Sequence, residues 1–143
     1  MADGIYNNGL DDLGGGQWAS GTYRALLLKS TGYTFDKDHV FVSAVTPGSN
    51  EISASGYSRQ TLGTKVRTVD NTLDRVVYSC AAPTFGTIVA GQTVGAMVLY
   101  RFVTSDSDSV LVNYYDLTDF ATDGTPFGVV MGANGLLYVD QGA

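Results

Sequence analysis

Residues 94–116, VGAMVLYRFVTSDSDSVLVNYYD, contain two apolar runs separated by a polar cluster. In the first run Met97, Val98, Leu99, Tyr100, Phe102 and Val103 fill both odd and even positions, which leaves no solvated face on an extended chain. Strands of that kind lie inside a sheet whose two faces are both covered. Val110, Leu111, Val112, Tyr114 and Tyr115 load the second run in the same way. Between them Ser105, Asp106, Ser107, Asp108 and Ser109 prefer a turn and water to a ladder. The pattern predicts a central hairpin with buried arms and an exposed tip.

The rest of the chain reads as shorter strands. Residues 22–28, TYRALLL, form a compact apolar run behind Gly21, with Trp18 placed to cap the core edge. Residues 33–45 are ambiguous between a strand over 39–44 and a short helix or helical turn. The helical option is favoured: Asp36 would cap it, with Val40, Phe41 and Ala44 or Val45 turned inwards. Pro47 and Gly48 make a turn, a strand starts at Tyr57, and Gly63 marks a bend. Residues 64–69 and 73–78 form a hairpin about Asp70, Asn71 and Thr72, with Val66 or Val69 opposite Val76 or Val77. Its charges, Lys65, Arg67, Asp74 and Arg75, read as solvated or as cross-strand pairs. Strands are expected at 84–89 behind Pro83, at 127–131 and at 136–139, with a loop over 117–126 and a turn at 133–135.

Together these runs predict an all-β, single-domain β-sandwich or Greek-key barrel of about eight or nine short strands, with at most a short helix near 36–45. Residues 1–16, MADGIYNNGLDDLGGG, read as a flexible N-terminal arm ahead of a β domain at 17–143. Ile5, Tyr6 and Leu10 are the anchors such an arm would use if it ordered on a neighbouring subunit.

Charge and cysteine content narrow the function classes. The net charge is −6 and the eight basic residues are dispersed, which argues against binding nucleic acid through its phosphates. Cys80 is the sole cysteine, so no intramolecular disulfide is expected, and no apolar stretch approaches the ~20 residues of a membrane span. With no leader-like N-terminal pattern, the expectation is a chain neither conventionally secreted nor anchored.

Candidate chemistry is sparse. His39 and Cys80 are each the only residue of their kind and could pair as base and nucleophile only through the fold; locally they read as a surface residue and a small core residue. Asp106 and Asp108, or Asp116, Asp119 and Asp123, invite a calcium loop, but the turn glycine and distal glutamate of an EF-hand are missing after Asp108. Glu51 is the only glutamate, and no nucleophile elbow, phosphate loop or zinc spacing occurs. The expectation is no enzyme, no metal and no cofactor.

Four runs carry a resemblance: Tyr-Thr-Phe-Asp-x-Asp-His at 33–39, Asn-Glu-Ile at 50–52, Gly-Tyr-x-Arg at 56–59 and Val-Asp-Asn at 69–71. With the late hairpin and Gly-Thr-Pro-Phe at 124–127, they make residues 22–138 similar to small structural proteins of tailed bacteriophages. The chain departs from that pattern in being apolar at Ala44, Val77, Cys80, Ala81, Ala82 and Val89. The resemblance implies a virion component, a capsid decoration or cement protein on the head surface, made in the host bacterial cytoplasm. It would bind the major capsid protein and itself as a homo-oligomer such as a trimer, without nucleic acid or membrane. Ile5, Tyr6, Leu10, Phe120 and Phe127 are the expected contact residues. A tail, neck or fibre-base component stays open, as does a carbohydrate or receptor module presenting Trp18, Tyr57, Tyr114 and Tyr115.

Overall fold

The computed structural model describes residues 3–129 and 137–140. Its centre is a five-stranded antiparallel sheet in the order β1 (Gly4–Ile5), β8 (Val110–Ala121), β7 (Thr93–Arg101), β2 (Tyr23–Lys29), β3 (Gln60–Thr61). A second sheet runs β10 (Leu137–Asp140), β5 (Arg75–Ser79), β4 (Val66–Asp70), and a third pairs β6 (Thr84–Thr87) with β9 (Pro126–Gly128). Each sheet has two ends, so the layers are open and no barrel closes among the described residues. The chain is a mostly β single domain, as its alternation of short strands and turns predicts.

The central strands are apolar on both sides through most of their length because both faces of their sheet are covered. Ala25, Leu27, Met97 and Leu99 face one cluster, which Tyr78, Leu137 and Phe85 from the other two sheets and Ile88, just past β6, complete. Leu26, Leu28, Val98 and Tyr100 face the opposite cluster, completed by Val42 and Val45 with Tyr33 and Phe35 packed against it. Burying each large apolar side chain this fully contributes about 1.5–3 kcal/mol.

The helical expectation for residues 33–45 is met only by a single 3-10 turn at Val42–Ala44. Val42 and Val45 are buried, whereas Phe41 faces solvent. Asp36 caps a turn instead of a helix: its carboxylate accepts from the Asp38 backbone N–H at 3.0 Å.

The N-terminal segment departs from the expected free arm. Gly4 and Ile5 pair with Tyr114 and Asn113 of β8, and helix α1 (Asn7–Gly14) lies along the same strand. Tyr6 is fully buried in one cluster and Leu13 in the other, so the segment bridges both cores across the sheet edge. A β-bulge makes the docking possible. Leu99 pairs with Asn113 and Tyr100 with Leu111, which leaves Val112 as the extra residue, and its carbonyl accepts from the Tyr6 N–H at 3.0 Å. Gly9 then passes so close that a Cβ there would lie 2.3 Å from the Val112 oxygen. At Gly4 and Gly9, glycine read as freedom to move reflects close packing.

Two further expectations change. The loop expected over 117–126 is strand as far as Ala121, because Thr93 and Val94 supply partners for Ala121 and Phe120. Three residues there, Leu117, Thr118 and Asp119, oppose the single Gly95 in a wide bulge. Gly95 has no room for a side chain, since a Cβ would lie 2.4 Å from the Ser30 Cα. The strand expected over 127–131 is β9 at Pro126–Gly128, and the turn at 133–135 lies outside the described residues.

Gly9→Ala is expected to destabilise the protein by about 1–3 kcal/mol through collision with Val112. Gly14→Ala, whose Cβ would meet nothing within 4 Å, is expected to stabilise it by about 0.5 kcal/mol through helix propensity. Urea unfolding of the two variants checks both signs.

Candidate functional site

Three features carry polar or apolar groups beyond the core: an arginine clamp, a groove beside α1, and a projecting hairpin. The clamp begins with Glu51, which forms a bridge with Leu28 of β2. The Arg59 Nε donates to Glu51 Oε1 at 2.8 Å and its Nη2 to Oε2 at 2.7 Å. On its other side Nη1 and Nη2 donate to the two Asp106 oxygens at 2.6 and 2.9 Å, and Nη1 reaches the Tyr100 hydroxyl at 3.3 Å. All five guanidinium protons are thereby engaged. The two carboxylates hold the guanidinium protonated, Glu51 contributing most. The Tyr57 hydroxyl donates to Glu51 and accepts from the Leu27 N–H, tying the group to β2.

This arrangement changes the status of the 105–109 tip. Asp106 is half-buried against Arg59, which holds its carboxyl below the usual range. Asp108 turns inward on its own loop, accepting from the Thr104 and Ser105 backbone N–H groups and from the Thr104 hydroxyl. Those bonds lower it to about 2. Ser109 is wholly buried, its hydroxyl donating to the Ser105 carbonyl. The tip is a self-capped loop stapled to the body, and its two aspartates are spent on protein donors. No group of three or more metal-ligating side chains forms among the described residues.

A polar groove of about 780 Å³ opens beside α1, lined in part by Asn7, Asn8, Asp11, Gln17 and Arg101. At its floor Asp12, with a side chain only 4% exposed, accepts from the Arg101 Nε and from the Tyr23 hydroxyl. Burial, then the bond to Asp12, pushes the Tyr23 hydroxyl up. The ion pair anchors α1 to β7 and β2, and the groove's amides offer donors and acceptors to small polar molecules.

The β4–β5 hairpin has the most exposed apolar surface. Trp18 fixes its base: the indole N–H is shared between the carbonyls of Val66 (3.1 Å) and Ser79 (3.3 Å). Val69 pairs with Val76 as the sequence predicts, and Asp70 caps the turn by accepting from the Thr72 and Leu73 N–H groups and from Arg75. The outer edge of β4 is unpaired among the described residues, and Val66 is 48%, Val69 56% and Leu73, in the turn, 58% exposed.

Of the expected contact residues, Ile5 is partly buried against the core, Tyr6 is fully buried with its hydroxyl 3.0 Å from that of Tyr33, and Leu10 is exposed. Phe120 and Phe127 come together, ring centroids 5.1 Å apart, and continue through Phe85 to Tyr57. Trp18 is buried and Tyr114 only 5% exposed, so the four aromatics considered for a sugar platform do not form one. His39 accepts or donates at Nδ1 with the Tyr33 hydroxyl at 3.0 Å, and burial pushes the Cys80 thiol up, which makes thiolate scarce near neutral pH.

The four motif runs now have physical roles. Glu51, Tyr57 and Arg59 make the clamp, Asp70 caps the hairpin turn, and Tyr33 and Phe35 cover the outer face of the central sheet. The sequence contained the clamp's parts in its only glutamate and in Gly-Tyr-x-Arg, but their meeting with Asp106 across 47 positions left no local signal.

Because Asp106 titrates lower in the folded protein than in the unfolded chain, where aspartate titrates near ~3.9, its stabilisation is complete above that value. It is lost as pH falls through the lower folded value. The stability difference between wild type and Asp106→Asn, from urea unfolding, is expected to hold steady between about pH 5 and 7 and to shrink below about pH 4. Comparison with protein-family models, curated proteins and solved structures found no match for this chain.

Proposed function

We propose that this chain is a bacteriophage virion structural protein, a capsid decoration or cement protein that binds the assembled head and stabilises it. Its partners are the major capsid protein and further copies of itself, and its place is the outer capsid surface. One observation carries the proposal: the β4–β5 hairpin is fixed at its base by Trp18 yet presents Val66, Val69 and Leu73 to solvent beside a strand edge that is unpaired among the described residues. Such a surface suits adhesion to another protein. The resemblance of residues 22–138 to phage structural proteins directs that adhesion to a virion.

The mechanism is linkage. A protein that binds only the assembled shell stabilises it by mass action, and many equivalent copies on a lattice add avidity without any single strong contact. The Phe120 and Phe127 pair and exposed Leu10 supply further apolar contacts. A tail, neck or fibre-base protein would use the same module, and the location of the bound copies separates these cases.

Purified protein added to expanded heads that lack it is expected to co-sediment with them and to raise the temperature at which they break. Recovery of the protein only with isolated tails, with no affinity for heads, would sink the proposal.

A further inference from the structure

We infer that copies of this chain associate edge to edge, β4 of one copy lying antiparallel against residues 117–121 of β8 in the next, with Arg67 facing Asp119. The first open edge is β4. It ends its sheet, and Val66, Arg67, Thr68 and Val69 are all exposed. The second is the outer side of β8. Its neighbour β1 pairs only with Asn113 and Tyr114, and beyond them no strand is paired on that side among the described residues. The wide bulge opposite Gly95 bends β8 there and disrupts its pairing with β7, with Thr118 and Asp119 exposed.

The two edges are complementary in charge. Residues 64–75 hold three cations and two anions, whereas the rest of the chain holds five cations and twelve anions. The hairpin is thus a net positive segment on an acidic protein, and Arg75 is already committed to Asp70. Arg67 is the one cation on β4 itself, and it is exposed at the edge of the sheet. Setting it opposite Asp119 also sets Val66 beside Phe120 and Val69 beside Leu117, both of which pair apolar surface with apolar surface. The one like-signed pair in this register, Asp70 with Asp116, falls at the end of the contact, where Arg75 already neutralises Asp70. The occupant is a second copy because the matching acidic edge belongs to this chain. Since the two surfaces differ, each added copy leaves one of each open, and a closed ring results if the rotation closes.

Sedimentation velocity on the full chain at roughly 0.1 mM and about 50 mM salt is expected to show oligomers that dissociate near 500 mM salt. Arg67→Glu and Asp119→Arg are each expected to weaken association about tenfold or more. Combining them in one chain, or mixing the two single variants, is expected to restore association, which a folding defect would not do. A monomer under all conditions, or oligomers indifferent to both substitutions, overturns the inference. Head binding is read separately: its loss with association intact would overturn the virion function and leave this interface standing.

Discussion

Strands β2, β7 and β8 are apolar on both sides through most of their length, so the central sheet is stable only if two separate layers cover it. Nearly every other element answers to that requirement. The two smaller sheets cover one face, residues 33–45 cover the other, and the start of the chain reaches both through Leu13 and Tyr6. The second cover contains little regular structure, so it depends on side chains to hold it. Tyr33, Phe35, Val42 and Val45 pack inward, and turns capped by Asp36 and by the 105–109 loop fix the path between them.

Ion pairs staple these covers to the sheet. Arg59 joins the 51–59 segment to the 105–109 loop, and Asp12 with Arg101 joins α1 to β7. Desolvating such charges offsets most of their attraction, so their value lies in geometry: with every guanidinium proton of Arg59 engaged, other positions for the loop would leave buried donors unpaired. The same logic places the N-terminal helix. Bulged Val112 supplies an acceptor outside the ladder, Gly9 removes the side chain that would hold the helix away, and the edge of the sheet is closed where it would otherwise attract another chain.

Where the edges are not closed, the surface is suited to contact with other proteins. β4 projects beyond its Trp18 anchor, and the outer half of β8 runs past the end of β1. The adhesive function proposed for the chain would depend on this contrast between a rigid, doubly covered sheet and strand edges unpaired among the described residues. The aromatic pair of Phe120 and Phe127 joins the same outer half of β8 to β9 of the two-stranded sheet, which ties the apolar contacts to the same region.

The central hairpin, the strand at Tyr23–Lys29, the Val69–Val76 pairing and the mostly β class were legible in the sequence because they depend on local periodicity and turn residues. The resemblance motifs were legible as strings, and their chemistry was not. Glu51, Arg59 and Asp106 meet only after the loops are folded, and the glycine-rich start reads as freedom until Val112 is found against Gly9. Likewise Arg67 looks like an ordinary surface charge until β4, the strand that carries it, proves to end its sheet among the described residues. Local sequence determined which segments must be extended and which must be buried. Tertiary structure decided which edges were left open and which charges were spent, because both are settled by residues distant in the chain.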